Sequence, residues 1–102
     1  MIRPHIAAIL AAAFVLPAFG QGSDPISGRN LASNCANCHG TNGQSAGGIP
    51  SLAGQRRDDL VRVMGEFREG KRPATIMHQL SKGYTPQQVE LIADYFSAQK
   101  AR

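Results

Sequence analysis

The sequence contains no tryptophan and few aromatic residues of any kind, which limits the core that it can build. Beyond residue 20 the aromatic side chains are Phe67, Tyr84, Tyr95 and Phe96. At 102 residues the chain is expected to form one domain. A domain this small usually needs a disulfide, a metal ion or a cofactor to complete its core. We therefore expect a large apolar group to be bound inside it.

Dense basic runs are also absent, although the net charge is +4. We therefore expect no nucleic-acid binding. The cations in the middle of the chain are Arg56, Arg57, Arg62, Arg68, Lys71 and Arg72. They form either an ordinary solvated surface or an electropositive rim that orients a negatively charged partner. No role is assigned to Arg56 and Arg57.

The first 20 residues have the layout of a secretory signal peptide. An apolar run from Ile6 to Leu16 follows one positive charge, and small residues stand at Ala18 and Gly20. We predict a cleaved signal over residues 1–20, a mature domain over residues 21–102 and a periplasmic location. An uncleaved anchor is the alternative. The apolar run is shorter than the roughly 20 residues of a membrane-spanning helix, so we expect no stable membrane span after cleavage.

The hydrophobic periodicity predicts an all-α fold, and no strand pattern occurs. Three main helices are expected at 25–34, at 57–69 and from Pro86 onward, with a shorter one at 74–82. Asp24 and Pro25 form an N-terminal start signal, and Thr85 to Gln88 form a capping box. The predicted buried stripes are Leu60, Val63, Met64 and Phe67, and Val89, Ile92, Ala93 and Phe96. The glycines in residues 35–54 predict a long loop.

One motif points to specific chemistry. Cys35, Cys38 and His39 form the pattern C-x-x-C-H, which attaches haem in c-type proteins. Two thiols at this spacing can add to the two vinyl groups of one porphyrin, and the histidine then faces the iron. A redox-active cysteine pair favours a βαβ context, which is absent. A closed zinc site needs four ligands, and no second pair exists. We predict one covalent haem c with His39 as an axial ligand.

The second axial ligand has three candidates. Met64 lies on an apolar stripe and is expected to fill the core. Met77 follows the break at Pro73, in a segment that can cross the haem face opposite His39. His78 is adjacent and remains a rival. A methionine with a histidine suits electron transfer, because it raises the reduction potential and leaves no open coordination site.

Other residues are expected to support this site. A ligating histidine usually donates its second ring N–H to a carbonyl, and Pro50 in the stiffened loop is the candidate acceptor. Leu52 would cover the haem face on the same side. Gly28 either allows the last helix to approach closely, through Tyr95 and Ile92, or is simply tolerated near a helix start.

Across its mature length the chain resembles the class I c-type cytochromes. The resemblance rests on Gly28, the Cys35–His39 motif, the segment Ile49–Gln55, Met77 and the helix end Ala93–Phe96. It implies the class I cytochrome c fold, with Met77 as the sixth iron ligand. It also implies that Pro50 is the partner of the histidine and that Gly28 packs against Tyr95.

A narrower resemblance links the segments Phe67–Gln79 and Gly83–Thr85 to the cytochrome subunit of flavocytochrome c sulfide dehydrogenase. That resemblance implies an electron-transfer subunit that is not an enzyme by itself. Its electrons would come from an FAD-containing, sulfide-oxidising flavoprotein and pass to other redox proteins. The alternative is a free-standing carrier between respiratory complexes. A haem enzyme or ligand sensor and a colourless structural domain are more distant alternatives.

Overall fold

The computed structural model describes residues 8–15 and 25–101, and the regular structure within these ranges is entirely helical. The all-α prediction is therefore confirmed. Residues 8–15 are exposed and adopt no regular structure. The rest of the predicted signal peptide, its cleavage site and the Asp24 cap lie outside the described residues. The helices are α1 (Pro25–His39), α2 (Arg57–Arg68), α3 (Met77–Leu80) and α4 (Pro86–Ser97), with 3-10 turns at Thr41–Gly43 and Ser81–Gly83.

Two helix boundaries differ from the predicted ones. Helix α1 continues to His39 rather than ending at residue 34. It stops only at Gly40, whose φ of 88° is incompatible with a helix. Helix α3 begins at Met77 rather than at residue 74, because Ile76 adopts non-helical angles and provides no side-chain cap. The haem-attachment motif therefore lies on the last turn of a helix and not in a loop.

Helix α4 is the base on which the other elements pack. Its start has the predicted capping box, in which Thr85 and Gln88 each bond the backbone N–H of the other. Its predicted stripe of Val89, Ile92, Ala93 and Phe96 is buried. Both α1 and α2 pack against it. Ala32 of α1 and Leu60 of α2 complete a small core around these side chains.

An ion pair fastens the start of α2 to the middle of α4. Arg57 donates from Nε to a carboxylate oxygen of Asp94, and its Nη2 lies 3.8 Å from Glu90. The hydrogen bond to Asp94 raises the pKa of Arg57. Arg57 therefore has a structural role that the sequence did not indicate. Along α2 only Leu60 of the predicted stripe is fully buried, and Val63, Met64 and Phe67 are half-buried.

The crossing of α1 and α4 depends on Gly28. A Cβ atom at this position would lie 2.8 Å from the carbonyl oxygen of Leu91 and 3.7 Å from the Cβ atom of Tyr95. Any larger residue would force the two helices apart. The predicted packing of Gly28 against Tyr95 is present, with Leu91 rather than Ile92 as the second neighbour.

We expect Gly28→Ala to lower the free energy of unfolding by about 1–3 kcal/mol, because the new methyl group meets backbone atoms that cannot rotate away. Gly65→Ala in α2 is the matched control, since its Cβ position has no neighbour within 4 Å apart from adjacent residues and the backbone of its own helix. It should raise stability by about 0.5–1 kcal/mol through helix propensity. Guanidinium unfolding of the holoprotein, followed by far-UV circular dichroism, measures both. Equal changes in unfolding free energy for Gly28→Ala and Gly65→Ala would contradict a close crossing of α1 and α4 at Gly28.

Candidate haem site

Two free thiols lie on the last turn of α1. Cys35 is half-buried against the core, and Cys38 is exposed. Burial, together with the nearby Cys38, raises the pKa of the Cys35 thiol. A redox-active pair usually contains a thiol of lowered pKa, so this direction does not favour that alternative. Among residues 8–15 and 25–101, no group of three or more histidine, cysteine and acidic side chains comes together to hold a metal ion.

His39 follows these thiols and is held by the loop. Its Nδ1 lies 2.7 Å from the carbonyl oxygen of Pro50, so the expected hydrogen bond is present. A carbonyl can only accept, and Nδ1 therefore carries the proton. In the neutral ring Nε2 then keeps a free lone pair. This is the tautomer that an imidazole adopts when its second nitrogen coordinates a metal.

The loop that carries Pro50 is positioned by a turn with three residues in left-handed conformations. Gly40, Asn42 and Gly43 have φ values of 88°, 55° and 77°. The carbonyl of Gly43 accepts hydrogen bonds from the backbone N–H groups of Leu52 and Ala53, at 2.8 and 3.1 Å. Leu52 is half-buried and packs against the core. The turn thereby brings the segment after Pro50 back alongside the end of α1.

The remaining ligand candidates lie elsewhere in the fold. Met77 opens α3 and is half-buried, and His78 follows it. The Nδ1 atom of His78 is buried without a hydrogen-bond partner, the one such side-chain atom found in the described part of the chain. Met64 is half-buried on α2, against which α3 packs.

The described residues fit a haem. Two unpaired thiols can attach the porphyrin, and a free imidazole Nε2 and a thioether are the iron ligands of c-type cytochromes. Large apolar side chains close in sequence to Pro50 and Met77 remain exposed, at 44% for Ile49, 55% for Ile76 and 45% for Leu80. An apolar prosthetic group in this region would cover such surface and enlarge the small core.

The chain belongs to the cytochrome c family, because the family model for cytochrome c matches residues 26–100. Its cofactor is accordingly one covalently bound haem c. The solved structure of a cytochrome c4 from Acidithiobacillus ferrooxidans superposes with a TM-score of 0.63 at 30% identity. The match covers 76% of this chain and 52% of that one, so the class I cytochrome c fold is confirmed.

Two curated relatives place the chain within the family. The cytochrome subunit of sulfide dehydrogenase from Chlorobaculum tepidum is 41% identical over 69 residues, which cover 68% of this chain and 63% of the relative. Cytochrome c-554(548) from Halomonas halodenitrificans is 32% identical over 81 residues, which cover 76% of this chain and 98% of the relative. The chain thus spans less than two thirds of the first relative and nearly all of the second.

No helix in the described ranges is both long and apolar enough to cross a bilayer.

A side-chain hydrogen bond joins α4 to the turn after His39. Tyr95 donates from its hydroxyl to Oδ1 of Asn42, at 2.6 Å. No sequence pattern predicts this bond, although the Asn42-Gly43 dipeptide is a turn signal that favours left-handed angles.

Glu66 anchors the chain that leads to Met77. Its carboxylate accepts hydrogen bonds from Arg62 at 2.8 Å and from Arg72 at 3.0 Å. Arg72 also lies over the ring of Phe67, 5.7 Å from its centroid. The hydrogen bonds from Arg62 and Arg72 lower the pKa of Glu66. The hydrogen bond between Glu66 and Arg72 thus holds the loop after α2 against that helix.

Acidification should therefore remove part of the stability of this region. A carboxyl group whose pKa is lower in the folded state contributes above its ordinary pKa of about 4.3, and the contribution is lost as the pH falls through the folded value. We expect unfolding free energy between pH 3 and pH 6 to depend less on pH in Glu66→Gln than in the wild type. Glu69→Gln is the control, since among the described residues Glu69 forms an ion pair with Lys71 alone, on the surface. Equal pH dependence in Glu66→Gln and the wild type would contradict this role for Glu66.

Proposed function

We propose that Cys35 and Cys38 hold the haem through thioether bonds and that His39 and Met77 are its axial ligands. The observation that carries this proposal is the hydrogen bond from His39 Nδ1 to Pro50, which leaves Nε2 free one residue beyond two unpaired thiols. Each thiol would add its S–H across one vinyl group, forming a C–S and a C–H bond without consuming an oxidant.

Haem c, when bound, supplies a one-electron iron couple, and the chain supplies ligation and environment. Pro50 orients His39 and increases its strength as a donor. Leu52, which packs against the core, would help to keep water away from the His39 side. Met77, at the start of α3, would supply the second ligand. With both axial positions occupied by the chain, electron transfer is favoured over oxygen or peroxide chemistry.

We further propose that the protein is an exported periplasmic subunit that accepts single electrons from a flavoprotein. The 41% identity to the cytochrome subunit of a sulfide dehydrogenase supports this assignment, as does the export signal expected in residues 1–20. The sulfide oxidation itself would belong to the flavoprotein. A free-standing carrier is the second candidate, and it is favoured by the 98% coverage of cytochrome c-554(548).

The two candidates differ in a simple isolation experiment. Purification of the native protein at low ionic strength should yield a stable complex that contains haem c and flavin in equal amounts. A cytochrome recovered alone, with no flavin in any fraction of matching size, would instead support the free carrier. Mass spectrometry of the same sample locates the mature N-terminus, which we expect near Gln21.

Surface charge is unevenly distributed and supports a partner with an acidic face. Between residues 66 and 82 the charged side chains are Arg68, Lys71, Arg72 and Lys82 against Glu66 and Glu69. At the Arg57–Asp94 contact they are Arg56 and Arg57 against Asp58, Asp59, Glu90 and Asp94. The segment that carries Met77 is thus net positive, whereas the side chains around the Arg57–Asp94 contact are net negative. Such a division orients an approaching charged partner.

Replacement of Met77 tests the ligand assignment. We expect Met77→Ala in the holoprotein to abolish the methionine–ferric iron charge-transfer band and to lower the reduction potential, because the thioether favours the ferrous state. Met64→Ala is the matched control and should retain the band. Absorption spectroscopy and a redox titration measure these effects. A band that persists in Met77→Ala and disappears in Met64→Ala would reassign the ligand to Met64.

Charge reversal tests the basic end. Lys82 forms no ion pair within the described ranges, so Lys82→Glu changes the local field without breaking a contact. We expect it to slow oxidation by ferricyanide several-fold at low ionic strength and to have little effect at high salt. Arg29→Glu on α1 makes the same charge change beside Tyr95 and should slow the reaction less. Equal slowing in both variants would contradict a localised basic face.

A further inference from the structure

The hydrogen bond between Tyr95 and Asn42 connects the base helix of the fold to the turn that follows His39. The Tyr95 hydroxyl lies 2.6 Å from Oδ1 of Asn42, across 53 positions of sequence. The Tyr95 backbone is already fixed, because its Cβ atom lies against Gly28 and its ring packs edge-on against Phe96 at 5.3 Å. Tyr95 therefore presents its hydroxyl from a rigid element.

Asn42 is the one residue other than glycine with a positive φ in the part of the chain that the structure describes. Its angles of 55° and 21° lie in the left-handed region, which asparagine tolerates better than most residues. The bond from Tyr95 holds its side chain, and so it stabilises this conformation of the turn. The direction in which the chain leaves the turn depends on it.

The turn at Asn42 and Gly43 also sets the position of the loop that contacts His39. The Gly43 carbonyl accepts from Leu52 and Ala53, and a Cβ atom at Gly43 would lie 2.7 Å from the ring of Phe96. Gly43 thus sits tightly between α4 and the returning segment. Pro50 is two residues before Leu52, and its carbonyl accepts from His39 at 2.7 Å. A continuous set of contacts therefore runs from α4 to the axial imidazole.

We propose that Tyr95 and Asn42 are positioning residues that tune the haem reduction potential by holding the Pro50 carbonyl on His39. The inference rests on the proposed role of His39 as an iron ligand. A firm Nδ1–H···O bond makes the imidazole a stronger donor, which stabilises ferric iron. A looser loop weakens that bond. Loss of the Tyr95 contact should therefore raise the reduction potential.

Three variants of the holoprotein test the proposal: Tyr95→Phe, Asn42→Gly and the double variant. Tyr95→Phe removes the donor and keeps the ring that packs on Gly28 and Phe96. Asn42→Gly removes the acceptor and leaves a residue that adopts the left-handed conformation without strain. Tyr84→Phe is the matched control, because it removes a hydroxyl from a half-buried tyrosine that packs on the same core.

Two measurements distinguish a positioning role of Tyr95 and Asn42 from a general effect on the stability of the protein. Redox titration gives the reduction potential, and proton NMR of the ferrous protein gives the rate at which the His39 Nδ1 proton exchanges with solvent. We expect both single variants to raise the potential and to speed the exchange. The double variant should show no more than the larger single effect, because both substitutions break the same bond. Tyr84→Phe should change neither quantity.

The proposal is overturned if Tyr95→Phe and Asn42→Gly both leave the potential and the exchange rate at wild-type values. It is also overturned if the two shifts simply add, or if Tyr84→Phe reproduces them. If one variant does not yield holoprotein, the other single variant decides. The absorption spectrum of the wild type separates failure of this proposal from failure of the proposed function. Absence of covalent haem or of the methionine band would contradict the proposed function itself.

Discussion

The hydrogen bond between the His39 imidazole and the Pro50 carbonyl is the interaction on which the site depends. It selects the ring tautomer, orients Nε2 and joins the end of α1 to the loop that carries Pro50. Two glycines with positive φ values make this hydrogen bond possible. Gly40 ends α1 directly after the histidine, and Gly43 turns the chain so that Pro50 returns beside it.

The rest of the molecule can be understood as the support for that contact. Helix α4 is the common surface: α1 crosses it at Gly28, Arg57 of α2 is paired to Asp94, and the loop bonds to it through Tyr95. The apolar core around this helix is small for a folded domain, and the exposed apolar side chains beside the site indicate where haem completes it.

The two sides of the site are held by different kinds of structure. The His39 side is held by helix packing and by several backbone hydrogen bonds, whereas the Met77 side consists of the one-turn helix α3 and the loop anchored by Glu66. The Met77 side is also the positively charged end. A partner that contacts this end would act on the segment that carries Met77, the proposed second ligand.

The sequence by itself determined the helical class, the capped start of α4, its buried stripe and the chemistry of Cys35, Cys38 and His39, because these follow from local spacing and residue type. Periodicity misplaced the end of α1 and the start of α3, since no local pattern shows where a glycine adopts a positive φ or where a cap fails. Only the tertiary structure decided the pairing of Arg57 with Asp94 and of Tyr95 with Asn42. Both join residues distant in sequence, and their distances depend on how the helices cross.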